Sequence, residues 1–151
     1  MRVLLQRVKS ARVVIDSLAV GEIATGLLLL IGIGPKDDTA LVKKLADKIV
    51  NLRIFDDANG KMNLSALDTE AEMLVVSQFT LYADWKSGRR PGFSGAAKPE
   101  HADPLINEWL RTLQQLGIKK VASGQFGANM QVELINDGPI TIMLDEENPN
   151  V

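Results

Sequence analysis

One uninterrupted apolar run, from Leu27 to Ile33, limits the folds open to this chain more than any other segment. It contains no charged or polar side chain, so polar and apolar residues do not alternate along it. A short run with this pattern is typical of a β-strand that is buried on both faces. Gly34-Pro35 then ends the strand. The sequence therefore predicts a sheet in which this strand is covered on both sides.

Further strands and two helices are predicted around this run. Asp37-Asp38-Thr39 predicts the start of a helix, whose apolar face is formed by Leu41, Val42, Leu45, Ile49 and Leu52. A second helix is predicted from Pro99 to Leu116, ended by Gly117. The other predicted strands are Arg2–Lys9, Ala11–Asp16, Ala19–Ile23, Met73–Gln78, Lys119–Ser123, Met130–Ile135 and Ile140–Leu144. The predicted fold class is α+β, with mainly antiparallel or mixed sheet and two main helices packed outside.

Length and composition indicate one domain and exclude several classes of protein. The 151 residues, of which 46% are hydrophobic and 24% charged, suit a single globular domain. We expect residues 1–144 to form it and residues 145–151 to form an acidic, flexible tail. No segment has the pattern of a signal peptide or the length of a membrane span. The sequence therefore predicts a cytoplasmic protein without a membrane partner, and the absence of cysteine is consistent with this.

The charges are unevenly distributed along the chain. A net charge of −2 argues against a protein that coats nucleic acid by bulk attraction. Basic side chains nevertheless cluster in the segment from Ala83 to Lys98, which contains Lys86, Arg89 and Arg90 and is longer than most connections in compact domains. This patch would hold a few phosphates in a salt-sensitive way. The alternative is a set of solvated surface charges.

The available residue types restrict the chemistry to hydroxyls and backbone groups. One histidine and no cysteine cannot build a stable zinc site, so no metal is predicted. His101 is predicted on the surface, in the first turn of the second helix, which argues against a Ser-His-Asp triad. Gly32-Ile33-Gly34-Pro35 lacks the third glycine and the lysine of nucleotide-binding loops, so no cofactor is predicted.

Ser77-Gln78-Phe79-Thr80, at the end of a predicted strand, has the strongest claim to chemistry. Because side chains alternate in a strand, Ser77 and Phe79 share one face, whereas Gln78 and Thr80 share the other. Free N–H groups at a strand end can form an oxyanion hole around a ligand carbonyl. In the alternative interpretation, the hydroxyls only satisfy neighbouring backbone groups.

Asn136-Asp137-Gly138-Pro139-Ile140-Thr141 interrupts what would otherwise be a pair of strands. Proline cannot donate to a β-ladder, and a tight hairpin turn is the simplest explanation of the segment. A cis peptide is the alternative, which about 5–6% of X–Pro bonds adopt in folded proteins. A cis Gly138-Pro139 would present two rigid carbonyl oxygens with almost no side-chain bulk. Such a surface could bind an amino group and discriminate sterically between the substituents of a tetrahedral carbon.

Four large apolar residues, Phe79, Phe93, Phe126 and Met130, are core candidates by residue type. Phe93 differs because it follows Arg90-Pro91-Gly92 in the basic segment. There its ring could stack on a nucleic-acid base while the cations contact phosphates. Anchoring of the loop to the core explains Phe93 equally well.

Taken together and in order, the motifs resemble the D-aminoacyl-tRNA deacylase family. The resemblance rests on Leu5-Gln6-Arg7-Val8, Gly60-Lys61-Met62-Asn63-Leu64, Ser77-Gln78-Phe79-Thr80, Arg90-Pro91 with Phe93, and Asn136-Asp137-Gly138-Pro139-Ile140-Thr141. Any one motif is weak, but the ordered set spans residue 1 to about residue 144 and is highly specific. There are two departures: Gly92 stands where a serine is usual, and the tail from Asp145 runs beyond the usual end.

The resemblance implies a small barrel-like domain that forms a homodimer. Such a protein hydrolyses the ester between a D-amino acid, or glycine mischarged on tRNA-Ala, and the 3′-terminal adenosine of tRNA. Gly138-Pro139 would be cis and would reach into the partner's active site, braced by Arg7. Thr80 and the backbone of Phe79 would lie at the reacting carbonyl, with Ser77 and Gln78 in the same catalytic segment. Met130 would lie nearby, and Phe93 and its loop near the terminal adenosine.

The residues and the resemblance agree that no protein group is an obvious strong base. Thr80 as a nucleophile would need activation, and no histidine is placed to supply it. We therefore favour a route in which the ribose 2′-hydroxyl assists water and backbone N–H groups stabilise the oxyanion. Two other functions stay open at this point. One is a non-catalytic nucleic-acid-binding module on the same fold, and the other is a serine or threonine esterase of small substrates.

Overall fold

The computed structural model describes residues 1–86 and 88–147. The strands are β1 (Arg2–Ile15), β2 (Leu18–Ile23), β3 (Gly26–Gly32), β4 (Phe55–Asp56), β5 (Met62–Leu64), β6 (Glu72–Ser77), β7 (Val121–Ser123) and β8 (Gln131–Asp145). The α-helices are α1 (Thr39–Asn51) and α2 (Pro99–Gln115), and a short 3-10 helix (Phe79–Tyr82) follows β6. The ribbon of β4 and β5 was not predicted from the sequence.

The long strand β1 organises the main sheet. Its residues 2–8 pair antiparallel with β3, its residues 11–15 pair with β2, and β8 pairs with both halves. The prediction of two strands here, Arg2–Lys9 and Ala11–Asp16, was wrong. The polar residues Lys9 and Ser10 separate the two apolar stretches in the sequence, but they are exposed on a backbone that continues as one strand.

The other part of the sheet is parallel, because β3 pairs with β6 and β6 pairs with β7 in that orientation. The sheet also curves until β7 approaches β2. A Cβ atom added to Gly21 would lie 2.3 Å from the carbonyl oxygen of Ser123. Only a residue without a Cβ allows two backbones to come this close. The sheet is thus mixed and nearly closed, and the predicted barrel-like α+β fold class is confirmed.

β3 lies between two apolar cores, as its sequence predicts. Leu27, Leu29 and Ile31 belong to the core that contains the buried residues of α1 and α2. Leu28 belongs to a second core on the opposite face of the sheet, and Leu30 packs against it. Because successive side chains of a strand point to opposite faces, a strand between two cores requires an uninterrupted apolar sequence.

Local signals set the ends of the helices. The carboxylate of Asp38 accepts the N–H of Leu41 at 2.9 Å, which starts α1. Pro99 occupies the first turn of α2, where its missing N–H costs nothing. Gly117, with a φ of +104°, follows the last turn. No helix in the described part of the chain is long and apolar enough to cross a membrane.

The acidic residues near the end of the chain contact the domain. Asp145, which the sequence placed in a tail, is the last residue of β8. The backbone N–H of Glu146 donates to the carbonyl oxygen of Met1 at 3.1 Å. Lys44 pairs with the carboxylate of Glu146 at 2.8 Å. Residues 148–151 of the predicted tail lie outside the described residues.

Candidate active site

A cleft of about 1100 Å³ opens where β6 ends. Its walls come from the end of β6, the loop before α2, the first turn of α2 and the segment that leads into β8. Five residues singled out in the sequence line it, namely Ser77, Gln78, Phe79, Phe93 and Met130. Residues up to 53 positions apart in the sequence are therefore brought to one surface, which makes this cleft the candidate site.

The backbone changes direction at the mouth of the cleft. β6 ends at Ser77, and the N–H of Gln78 still donates to the carbonyl oxygen of Ile31 at 2.8 Å. The chain then enters the 3-10 helix, so the strand-like alternation predicted for residues 77–80 was wrong beyond Ser77. The first N–H groups of a helix have no partner within it. Among the described residues, the N–H groups of Phe79 and Thr80 have no backbone acceptor, whereas Leu81 N–H already donates to Gln78.

Thr80 lies beside the cleft and does not line it. Its hydroxyl accepts a hydrogen bond from the side-chain amide of Gln78. The side chain of Thr80 is exposed. Within the described residues, its hydroxyl has no contact with a histidine or carboxylate that could remove its proton. The local geometry therefore does not activate Thr80 as a nucleophile.

Two aromatic rings form one wall of the cleft. The rings of Phe79 and Phe93 meet edge to face, with centroids 5.2 Å apart and an interplanar angle of 74°. Phe79 is nevertheless 56% exposed. Phe126, predicted as a core residue, also lines the cleft. A partly exposed aromatic wall offers a stacking surface to a planar ligand.

Among the described residues, the lining of the cleft contains two ionisable residues, Lys98 and His101, and no carboxylate. His101, predicted as a surface residue, is exposed at the rim. Its Nε2 lies 2.8 Å from the carbonyl oxygen of Asp37. Because a carbonyl oxygen only accepts, Nε2 carries a proton in this contact. The sequence places both residues at the start of the second helix, but it assigns neither to the site, because only tertiary packing brings the start of α2 beside the cleft.

Arg2 holds the 3-10 helix in place. Its guanidinium donates to the carbonyl oxygen of Leu81 at 2.8 Å and lies 4.6 Å from the centroid of the Tyr82 ring. The Tyr82 hydroxyl donates to Glu147 at 3.1 Å. Burial, together with the nearby carboxylates of Asp37 and Glu147, raises the pKa of Tyr82. The hydroxyl therefore stays protonated and keeps donating, which ties the short helix to the end of β8.

A second unusual backbone feature lies in β8, opposite Arg7. Gln6 pairs with Thr141 and Val8 pairs with Asn136, so the single residue Arg7 on β1 faces residues 137–140 on β8. These four residues, which we call the Gly-Pro bulge, protrude from the ladder. The two strands predicted on either side, Met130–Ile135 and Ile140–Leu144, are thus one strand with a bulge. A hairpin turn, one of the two interpretations of the sequence, is not present.

The Gly-Pro bulge exposes main chain. The Gly138-Pro139 peptide bond is cis, and both residues are exposed. The side-chain amide of Asn136 donates to the carbonyl oxygens of Arg7 and Ile140 at 3.0 and 3.1 Å, which closes the base of the bulge. The tip therefore presents backbone carbonyl groups and little side-chain volume.

Arg7 supports the bulge from below. It is 5% exposed, and its Nε lies 3.3 Å from the carbonyl oxygen and 3.1 Å from the carboxylate of Asp137. Its Nη1 donates to the carbonyl oxygen of Ile54 at 2.6 Å and lies 3.4 Å from Asp56. A buried guanidinium needs acceptors for its donors, and Asp137 supplies two of them immediately before Gly138.

The predicted site residues thus fall into two groups. One group lines or adjoins the cleft, whereas Arg7, Gly138 and Pro139 lie outside its lining. The described residues contain no group of three His, Cys, Asp or Glu side chains that could hold a metal ion.

Replacing Arg7 by alanine should lower the free energy of unfolding by about 1–3 kcal/mol, because charge-assisted hydrogen bonds in a buried place are lost. Arg12→Ala on the same strand is the matched control. Arg12 pairs with Glu133 at 2.7 Å, but both side chains are about half exposed, so its loss should cost much less than the loss of Arg7. Urea unfolding of the two variants measures the difference. If the two variants lose the same free energy of unfolding, Arg7 does not support the bulge as described.

Comparisons with known proteins agree with this architecture. A family model described as D-Tyr-tRNA(Tyr) deacylase matches residues 4–145. Proteins named D-aminoacyl-tRNA deacylase from Thermosipho africanus and Clostridioides difficile are each 52% identical to this chain. The alignments cover 97% and 96% of this chain, and 98% and 97% of those proteins.

Two solved structures also resemble the chain. The c-Myc DNA unwinding element binding protein is 37% identical, with a TM-score of 0.90 over 96% of this chain and 98% of that protein. A probable eukaryotic D-amino acid tRNA deacylase shares the fold at 16% identity, with a TM-score of 0.81 over 94% and 97% of the two chains. The full-length family match and the identity to the curated relatives decide the assignment: the chain belongs to the D-Tyr-tRNA(Tyr) deacylase family, a family of enzymes.

Proposed function

We propose that this chain hydrolyses the ester bond of D-aminoacyl-tRNA, and of glycyl-tRNA mischarged on tRNA-Ala, and releases the free amino acid and the tRNA. The observation that carries the proposal is the cleft at the end of β6, in a chain whose full-length relatives bear the name D-aminoacyl-tRNA deacylase. An enzyme with this substrate works where translation takes place, which is the cytoplasm.

The lining of the cleft suits the 3′ end of a tRNA. The wall formed by Phe79 and Phe93 offers a face for the terminal adenine, and Met130 extends the apolar lining. Since no carboxylate lines the cleft in the part of the chain that the structure describes, this lining does not repel the phosphates that accompany the adenosine.

Main-chain N–H groups are the proposed catalytic donors. The N–H groups of Phe79 and Thr80 have no backbone acceptor among the described residues and lie at the edge of the cleft. We assign them to the oxyanion that forms when water attacks the ester carbonyl. Removing one such donor typically costs about 3–4 kcal/mol of transition-state stabilisation. Since no histidine or carboxylate of the described residues contacts the Thr80 hydroxyl, we assign the positioning or activation of the water to the ribose 2′-hydroxyl.

The Gly-Pro bulge is the proposed source of chiral selectivity. It is exposed and lies outside the cleft of its own chain, so it is free to enter the cleft of a second copy in a homodimer. If the carbonyl oxygens of Gly138 and Pro139 hold the substrate amino group, an L side chain points into the backbone and a D side chain points to solvent. Glycine has no side chain to exclude and is accepted.

Incubation with D-tyrosyl-tRNA, L-tyrosyl-tRNA and glycyl-tRNA tests the proposal, with loss of the ester as the readout. We expect rapid loss of the D-tyrosyl and glycyl esters and survival of the L-tyrosyl ester. Equal loss of the D and L esters would contradict exclusion by the bulge. Turnover of simple esters without tRNA would favour a general esterase. Salt-sensitive binding of tRNA with no turnover would favour a non-catalytic binding module.

Thr80→Ala separates the two catalytic routes. We expect kcat to fall by less than about tenfold, because the backbone N–H groups and the 2′-hydroxyl are unchanged. Loss of a true nucleophile typically lowers kcat by about 10⁴-fold or more. Thr80→Ser is the matched control, since it keeps the hydroxyl. If only the serine variant is active while both fold, Thr80 is the nucleophile.

Subunit mixing tests whether the bulge acts across a dimer. Gly138→Leu adds bulk at the bulge, where an added Cβ would meet nothing closer than the Asn136 side chain at 3.4 Å. Ser94→Trp fills the cleft from an exposed position in its lining. We expect each variant alone to be nearly inactive. When the two variants are refolded together in equal amounts, half of the dimers contain one subunit of each kind. Each mixed dimer has one intact site out of two, so about a quarter of the wild-type activity should return. If both groups act within one chain, mixing restores nothing.

A further inference from the structure

The loop that carries Phe93 has an exposed part that the proposed function does not use. The N–H of Asp84 donates to the carbonyl oxygen of Gly92 at 2.8 Å, and the N–H of Gly92 donates back at 2.9 Å. This double hydrogen bond closes a hairpin, and Phe93, the residue after it, lines the cleft. The hairpin therefore begins at the rim of the cleft and is joined to its aromatic wall by one peptide bond.

Within the described residues, the hairpin is basic and its cations are unpaired. Lys86, Arg89 and Arg90 are exposed, and none of the three forms an ion pair there. The whole chain has a net charge of −2, so this density of positive charge is local. Three unpaired cations on a short exposed hairpin repel one another, and an anionic partner would remove that cost.

Trp85 adds an aromatic platform to the same hairpin. It is 75% exposed, more than any other large apolar side chain in the described part of the chain. A partner that covers this side chain would remove its apolar area from water, which favours binding. An indole beside lysine and arginine side chains is the combination that binds single-stranded nucleic acid, because the ring stacks on a base while the cations contact phosphates.

We propose that Trp85, Lys86, Arg89 and Arg90 form a docking surface for the unpaired nucleotides of the tRNA acceptor end that precede the terminal adenosine. Trp85 stacks on one of these bases, and the three cations contact the phosphates. This inference rests on the proposed deacylase function. It divides substrate recognition into two parts: the cleft binds the aminoacylated adenosine, and the hairpin binds the strand that carries it.

Two substrates and three variants test this division. D-tyrosyl-tRNA contains the acceptor strand, whereas D-tyrosyl-adenosine contains only the part assigned to the cleft. The triple variant Lys86→Ala, Arg89→Ala, Arg90→Ala removes the cations, and Trp85→Ala removes the platform. The triple variant Lys43→Ala, Lys48→Ala, Lys119→Ala is the control, since it removes the same charge from exposed positions outside the cleft lining.

We expect the hairpin variants to raise KM for D-tyrosyl-tRNA while kcat for that substrate and both constants for D-tyrosyl-adenosine stay unchanged. Three phosphate contacts lower the slope of log affinity against log salt by about 2.1–2.7. When salt is raised from 50 to 200 mM, the affinity of the wild-type protein for D-tyrosyl-tRNA should therefore fall about 20- to 40-fold more than the affinity of the triple variant that lacks Lys86, Arg89 and Arg90. Trp85→Ala should raise KM roughly tenfold with the salt slope unchanged.

Several outcomes would overturn the inference. A hairpin triple variant that matches the control in KM and salt slope would show that the hairpin does not contact tRNA. If the hairpin variants raise KM for D-tyrosyl-adenosine as much as for D-tyrosyl-tRNA, the hairpin acts within the cleft. If the wild-type protein binds a duplex DNA as tightly as tRNA, the assignment of the hairpin to the acceptor strand is wrong. If wild-type protein hydrolyses neither ester, the proposed function fails. Fluorescence anisotropy with uncharged tRNA then tests the hairpin separately, and equal affinity of the two triple variants refutes it.

Discussion

The pairing of β1 with β8 is organised around the hydrogen bonds of one buried group, the guanidinium of Arg7. A cation at 5% exposure must find acceptors inside the protein. It finds them in Ile54, Asp56 and Asp137, and the last of these belongs to the strand that pairs with β1. The ladder accommodates this by placing residues 137–140 opposite a single residue. The exposed Gly-Pro segment therefore begins next to the residue that accepts hydrogen bonds from this buried charge.

Main chain supplies most of the candidate chemistry in this molecule. The 3-10 helix after β6 leaves two N–H groups without backbone acceptors in the described residues, and the Gly-Pro bulge exposes carbonyl groups. In both features the candidate chemical groups belong to the main chain, which fits a chain with one histidine and no cysteine. Side chains act mainly as supports: Arg2 fixes the 3-10 helix through Leu81 and Tyr82, as Arg7 fixes the bulge.

The sequence predicted the parts of the fold that depend on local patterns. The apolar run of β3, the Asp38 cap of α1 and the Pro99 start of α2 are all specified by neighbouring residues. The continuity of β1 through Lys9 and Ser10 could not be predicted, because pairing with β8 maintains it across 120 residues or more of sequence. The turn of the chain at Gln78 was missed for a similar reason, since contact with β3 and Arg2 sets it. Ser77, Phe79, Phe93 and Met130, which the motifs singled out, all line the cleft, whereas Lys98 and His101 reach it through packing alone.

The pairing of β1 with β8 also sets an order of events during synthesis. β1 is made first, but its partner β8 is the last strand of the described chain. Until then, β1 can pair with β2 and β3, and its remaining edge stays open to any other strand in the cell. Contacts between residues so far apart in sequence are slow to form. A ribosome-bound chain therefore carries a sheet in which one edge of β1 is still unpaired. The cleft and the bulge acquire their final positions only when β8 pairs with that edge.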